Sequence, residues 1–132
     1  MMENREIKFR GLHEATGVWI EGDLYHRLNE EIYINHVIPT GENSRENKLT
    51  KVKKGTESQF TGLKDKNGVE IYENDVIDYY YKDQAIRGVV QFGKVSWCIF
   101  YKTPKGFDRL NRLSPKAEIE VIGNIYENPE LL

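Results

Sequence analysis

The chain opens on alternation. Ile7 and Phe9 share one parity while Lys8 and Arg10 take the other, which is the period of a half-buried strand. Residues 13–17 read as a turn. Val18, Ile20, Gly22 and Leu24 then alternate with Trp19, Glu21, Asp23 and Tyr25. A third run, residues 32–38, sets Ile32, Ile34 and Ile38 on one face. Pro39 is expected to close it, because proline cannot donate to a sheet ladder. These three runs predict an N-terminal β-meander over residues 1–39.

Residues 40–58 change character. Ser, Asn, Glu, Lys, Thr and Gly dominate, and only Leu49 and Val52 are aliphatic. The expectation is a long polar loop with at most one short strand near residues 51–53. Such loops in compact domains are either mobile or functional.

From residue 59 the turn signals become dense. Asn67-Gly68 predicts a type I′ hairpin turn, which needs positive φ at both central positions. Residues 69–72 follow as a strand, and Glu73-Asn74-Asp75 turns the chain into residues 76–81. A polar break at 82–84 precedes a strand over 86–92. Gly93-Lys94 makes another tight turn into 95–101. Ile86, Val90 and Phe92 share a face, as do Val95, Trp97, Ile99 and Tyr101. With a last strand near residues 119–125, this pattern predicts an SH3-like small barrel over residues 59–132. Residues 107–113 are expected to form one helical turn capped by Asp108. The fold class is therefore all-β, with the meander and the small barrel packed as one domain of 132 residues.

Composition agrees with strands. The chain carries 2 Trp, 8 Tyr and 5 Phe, residue types that favour pleated, half-buried surfaces. Net charge is −2, so attraction to nucleic acid or anionic lipid is not a property of the whole molecule. The single cysteine, Cys98, excludes an internal disulfide and fits a reducing cytoplasm. No apolar run approaches the roughly 18–20 residues of a membrane helix, and the N-terminus has no signal-like apolar stretch. A cytoplasmic, non-membrane protein is expected.

Three motifs then resemble one family. The run from Gln59 to Ile77, QFTGLKDKNGVEIYENDVI, looks like the signature of the YopX proteins of phages and prophages. The ending from Ile119 to Leu132, IEVIGNIYENPELL, and the opening Arg5-Glu6-Ile7-Lys8-Phe9-Arg10 are similar to that family's termini. One departure is Asn74, where glycine is expected; Asn is the next-best residue for positive φ, so the turn survives. The resemblance implies a phage or prophage gene product of unknown molecular function, all-β, self-associating and without catalytic residues.

The residues themselves give a structural reading of these motifs. Gly62 and Gly68 permit unusual backbone angles, Asp65 and Asn67 supply turn hydrogen bonds, and Asp75 caps free amides where a strand begins. Asn128 is placed to cap a terminal turn with Pro129 at its first position.

Candidate chemistry is sparse. Glu70, Glu73, Asp75 and Asp78 cluster, but no nucleophile or base accompanies them at a telling spacing. His13, His26 and His36 fall in no metal-ligand pattern. Cys98 reads as a small buried hydrophobe. The sequence also lacks a Walker motif, a dinucleotide fingerprint and a GxSxG elbow. A non-enzymatic protein with no cofactor and no metal is expected.

The surplus of aromatics points to an interface. Tyr79, Tyr80, Tyr81 and Trp97, with the terminal Leu131 and Leu132, are the candidate contacts for a homo-oligomer or for other phage or host proteins. Adjacent strand residues face opposite ways, so Tyr80 must point away from Tyr79 and Tyr81. The alternative is a nucleic-acid-binding barrel. Residues 45–54 and 102–116 are basic, and Lys51, Lys53, Lys54, Lys105, Arg109 and Arg112 would track a phosphate backbone.

Overall fold

The computed structural model describes residues 5–114 and 117–132, and for Tyr81 and Leu110 the backbone alone. Among the described residues the chain is built of β-strands and ends in one 3-10 turn, Pro129–Leu131. The all-β expectation holds. Two compact units emerge, Met1–Phe60 and Thr61–Leu132.

The first unit contains β1 (Phe9–Leu12), β2 (Trp19–His26), β3 (Ile32–Gly41) and β4 (Ser44–Val52), with β5 (Ser58–Lys64) beginning at its end. Their order is β4-β3-β2-β1-β5, and the pairings are antiparallel. Ile32, Ile34 and Val52 form the buried core, with Phe9, Ile20 and Leu24 packed on it. The alternation over 7–38 placed all of these except Val52.

The polar segment 40–58 is the main correction. It is not one long loop: β4 occupies its middle and pairs with β3 from Ile32↔Val52 to Gly41↔Ser44. Thr50 and Val52 turn inward while Ser44 to Leu49 stay exposed. A strand with both faces in water carries no hydrophobic period, so it was illegible. Pro39 does not end β3 either. The ladder passes through it with a register shift between Pro39 and Gly41, the bulge by which a strand tolerates a missing amide.

The far end of β4 is closed. Val52 bridges His13, and the Lys53 amide donates to the Leu12 carbonyl at 2.8 Å. That end of the strand therefore has neighbours on both sides, and among the described residues the exposed stretch from Ser44 to Leu49 remains a sheet edge.

The second unit continues β5 and adds β6 (Glu70–Tyr72), β7 (Asp75–Tyr81), β8 (Gln84–Phe92), β9 (Trp97–Thr103), β10 (Gly106–Arg112) and β11 (Glu118–Asn124). Five of these form a sheet in the order β10-β9-β8-β7-β11. Ile71, Ile77, Tyr79, Val90, Trp97, Ile99 and Ile119 make its core. The expected helical turn at 107–113 is instead β10, and Asp108 sits opposite Tyr101 in the ladder as a strand residue. Pairing with β9 supplied amide partners that a local cap could not match.

Turn chemistry also differs from expectation. At Asn67-Gly68 only Gly68 has positive φ, at 81°. The Gly68 amide donates to the Asp65 carbonyl, and the Asp65 amide donates to the Val69 carbonyl. This is the longer hairpin turn with a glycine bulge. Positive φ at two successive residues occurs instead at Lys82 (47°) and Asp83 (66°), between the paired Tyr81 and Gln84. Asn74, at φ 69°, takes the conformation expected of it.

Two buried carboxylates hold these turns. One Asp65 oxygen accepts from the Asn67 and Val69 amides at 2.8 and 2.9 Å, and the other accepts from Val121 at 2.9 Å. Asp75, 1% exposed, accepts from the Tyr72 amide at 2.8 Å. In the tail, Asn128 precedes the 3-10 turn, yet its side chain accepts from the Asn124 amide and not from the turn itself.

Space, and not torsion, requires glycine at position 22. A Cβ there would stand 2.1 Å from the backbone oxygen of Asn35. Gly22→Ala is expected to lower the urea-unfolding free energy by about 1–3 kcal/mol. Gly41→Ala, whose Cβ would meet nothing nearer than 3.7 Å, is expected to stay within about 0.5 kcal/mol of wild type.

Candidate interaction surface

Beyond Asn35 the pairing of β3 with β2 ends, while the β3–β4 ladder runs on to Gly41↔Ser44. The outer half of this hairpin forms an arm. Val37 is 58% exposed and Leu49 41%. Both lie on the same face, because residues opposite each other in a ladder share a face and Val37 pairs Asn47 while Asn35 pairs Leu49. The arm turns at residues 41–44 and carries Arg45, Glu46 and Lys48 outward.

At the inner end of the arm, His36 Nε2 lies 2.7 Å from Thr50 Oγ1. Burial, helped by the positive charge of Lys48, holds the His36 imidazole below its ordinary pKa. Protonation is therefore disfavoured in the folded state. The sign follows from linkage: as pH falls through the ordinary histidine range near 6.5, the unfolded chain takes up the proton more readily, and stability declines. The urea midpoint is expected to drop between pH 7.5 and pH 5.5 in wild type, and His36→Gln is expected to shrink that drop.

The sequence-predicted basic residues divide. Lys51 Nζ is 3.1 Å from Glu31 and 3.7 Å from Glu14, and Lys54 Nζ is 3.1 Å from Glu30. The hydrogen bond to Glu31, followed by its charge, raises the Lys51 pKa. Glu31 is lowered in turn, first by Lys51 and then by the Tyr33 hydroxyl and Asn29. Lys53 is exposed and gives its amide to Leu12. Lys51 and Lys54 belong to a local charge-balanced cluster around the β2–β3 turn.

In the second unit, Arg109 and Arg112 line one shallow hollow with Val95 and Asn111. In a regular strand, residues three apart face opposite ways. The register shift between Arg109 and Asn111 brings both arginines to the same hollow. Lys105 is exposed in the preceding turn, and Lys116 lies outside the described residues.

The predicted aromatic contacts are mostly engaged internally. Tyr79 and Trp97 belong to the core at 8% exposure each, so they are not surface anchors. Both sides of β9 are covered there, since Cys98 is also fully buried. Tyr80 does point away from Tyr79. Its hydroxyl donates to Glu120 at 3.0 Å, which raises its pKa, and Lys66 stands 4.7 Å above its ring. The Tyr81 side chain lies outside the described residues. Leu131 and Leu132 are half-buried.

Of the clustered carboxylates, Asp75 is spent on the Tyr72 amide and Asp78 accepts two bonds from Arg87, at 2.9 and 3.3 Å. His13 accepts the Ala15 and Thr16 amides through Nδ1. Each of these groups has a structural task. Among the described residues no helix is long and apolar enough to cross a membrane.

Two antiparallel sheets, tied at their turns by buried carboxylates and ending in an exposed arm, define the class as an all-β protein of the small-sheet kind. The chain belongs to the YopX family: the family described as YopX protein matches residues 8–132, nearly its whole length. No curated protein matches it. A solved structure, that of protein EF1440 from Enterococcus faecalis, is similar to it at TM-score 0.58 and 22% identity, covering 98% of this chain and 99% of the other. At that identity the likeness concerns the fold.

Proposed function

We propose that this protein is a non-enzymatic, self-associating interaction module of phage or prophage origin, working in the cytoplasm of a bacterial host. The observation that carries the reading is the β3–β4 arm. It extends past β2, exposes Val37 and Leu49, and leaves β4 at the edge of its sheet. A two-stranded hairpin is marginal in water, and a free sheet edge is a template for another strand. Such an element gains most of its order from a partner. The YopX membership supports the phage origin. The engagement of Asp75, Asp78 and His13 in turns and ion pairs supports a role outside catalysis. Light scattering across a hundredfold concentration range is expected to show a mass rising above 15.4 kDa. A constant monomer mass would overturn the reading.

A second reading is favoured by one hollow. Arg109 and Arg112 converge with Asn111 in the second unit, whose strand order returns β11 beside β7. The return of β11 to the side of β7 supports the SH3-like small barrel. In this reading the hollow grips a phosphate backbone, and Lys51 and Lys54 contribute little because carboxylates already pair with them. Binding of single-stranded DNA or RNA at low salt is then expected to weaken steeply with added salt and to fall in Arg109→Ala/Arg112→Ala. No binding at low salt would remove it.

A further inference from the structure

Among the described residues the free edge of β4 has defined ends. At one end the chain turns after Gly41↔Ser44, and at the other Val52 is already bridged to His13. The exposed stretch, Ser44 to Leu49, has the sequence Ser-Arg-Glu-Asn-Lys-Leu, and Asn47 lies near its middle. Resting on the self-association reading, we infer that a second copy of this chain docks here. The two β4 strands run antiparallel about a two-fold axis through Asn47.

The register follows from charge and from symmetry. A two-fold axis perpendicular to the sheet must pass midway between a residue and its own copy, and facing residues then share a face. With Asn47 on the axis, Glu46 of each copy lies opposite Lys48 of the other. Arg45 lies opposite Leu49, and Ser44 opposite Thr50. Two opposite-charge pairs form and no like charges meet. One step either way reverses this. An axis through Lys48 sets that lysine against itself, and an axis through Glu46 sets that carboxylate against itself. Like charges directly opposite destabilise a strand pair. An axis through Leu49 would extend the pairing to Val52, whose edge is occupied by His13. The one register with reciprocal charge pairs thus falls within the exposed stretch. Glu46 and Lys48 are both exposed and sit opposite Ile38 and His36 in their own ladder, so they are free to meet a copy without unfolding the hairpin.

Sedimentation velocity tests this by charge reversal. Glu46→Lys and Lys48→Glu should each weaken the dimer roughly tenfold or more, because each converts two attractions into two repulsions. The double variant Glu46→Lys/Lys48→Glu restores the pairs and should restore association. Asn47→Cys provides a readout independent of charge. On the axis its Cα would lie roughly 4.5–5.5 Å from its copy, within disulfide range, so oxidation should cross-link it. Ser44→Cys, facing Thr50 of the copy, should not cross-link. The native Cys98 is buried and does not compete. Single reversals that leave an existing dimer unchanged, or an Asn47→Cys dimer that does not cross-link, would overturn the β4 assignment alone. A wild-type protein that stays monomeric would overturn the self-association reading as well.

Discussion

Every strand must find partners for its amides, and an open sheet always leaves two strands half-satisfied. This protein is built almost wholly of strands, so that constraint shapes most of it. Where the backbone turns away from a ladder, side-chain oxygens take over. Asp65 alone accepts three amides, two in its own turn and one from β11. Asp75 takes the Tyr72 amide where β6 gives way to β7. These carboxylates are buried and spent on backbone amides of the turns. In the first unit the bridge between Val52 and His13 meets the same need at one end of β4. The rest of that strand is left with an open edge.

The division of labour between the two units follows. The second holds the larger core, with Tyr79 and Trp97 inside it and Tyr80 tied outside to Glu120 and Lys66. Its surface feature is the arginine hollow created by a bulge in β10. The first has a small core of Ile32, Ile34 and Val52, and most of its long hairpin lies beyond that core. An element that contributes little to its own core and exposes Val37 and Leu49 is suited to meeting another surface. That is why the first unit carries the self-association reading, although the aromatic surplus of the second had pointed there.

Much of the fold was legible. The alternation at residues 7–10, 18–25 and 32–38 marked β1, β2 and β3 because each has one buried face. The glycine, asparagine and aspartate positions marked the turns, and Asn74 took its positive φ as expected. Two errors share one cause. Residues 40–58 and 107–113 were read from local chemistry, as a loop and a helical turn. Each holds an edge strand, β4 or β10, kept in place by a ladder whose other half lies elsewhere in the chain. The turn at Asn67-Gly68 failed differently, since Asp65 captured the amides and selected a longer turn.

The sequence by itself determined the all-β class, the positions of most strands and the family, because hydrophobic period, turn residues and motif order are local properties. Only the tertiary structure decided which residues are surfaces. Burial depends on what packs opposite, so Tyr79 and Trp97 went inside while the stretch Ser44 to Leu49 became an exposed edge. Which lysines are neutralised, and which arginines converge across a bulge, are likewise set by pairing across long sequence separations. Period and composition carry no record of such pairings.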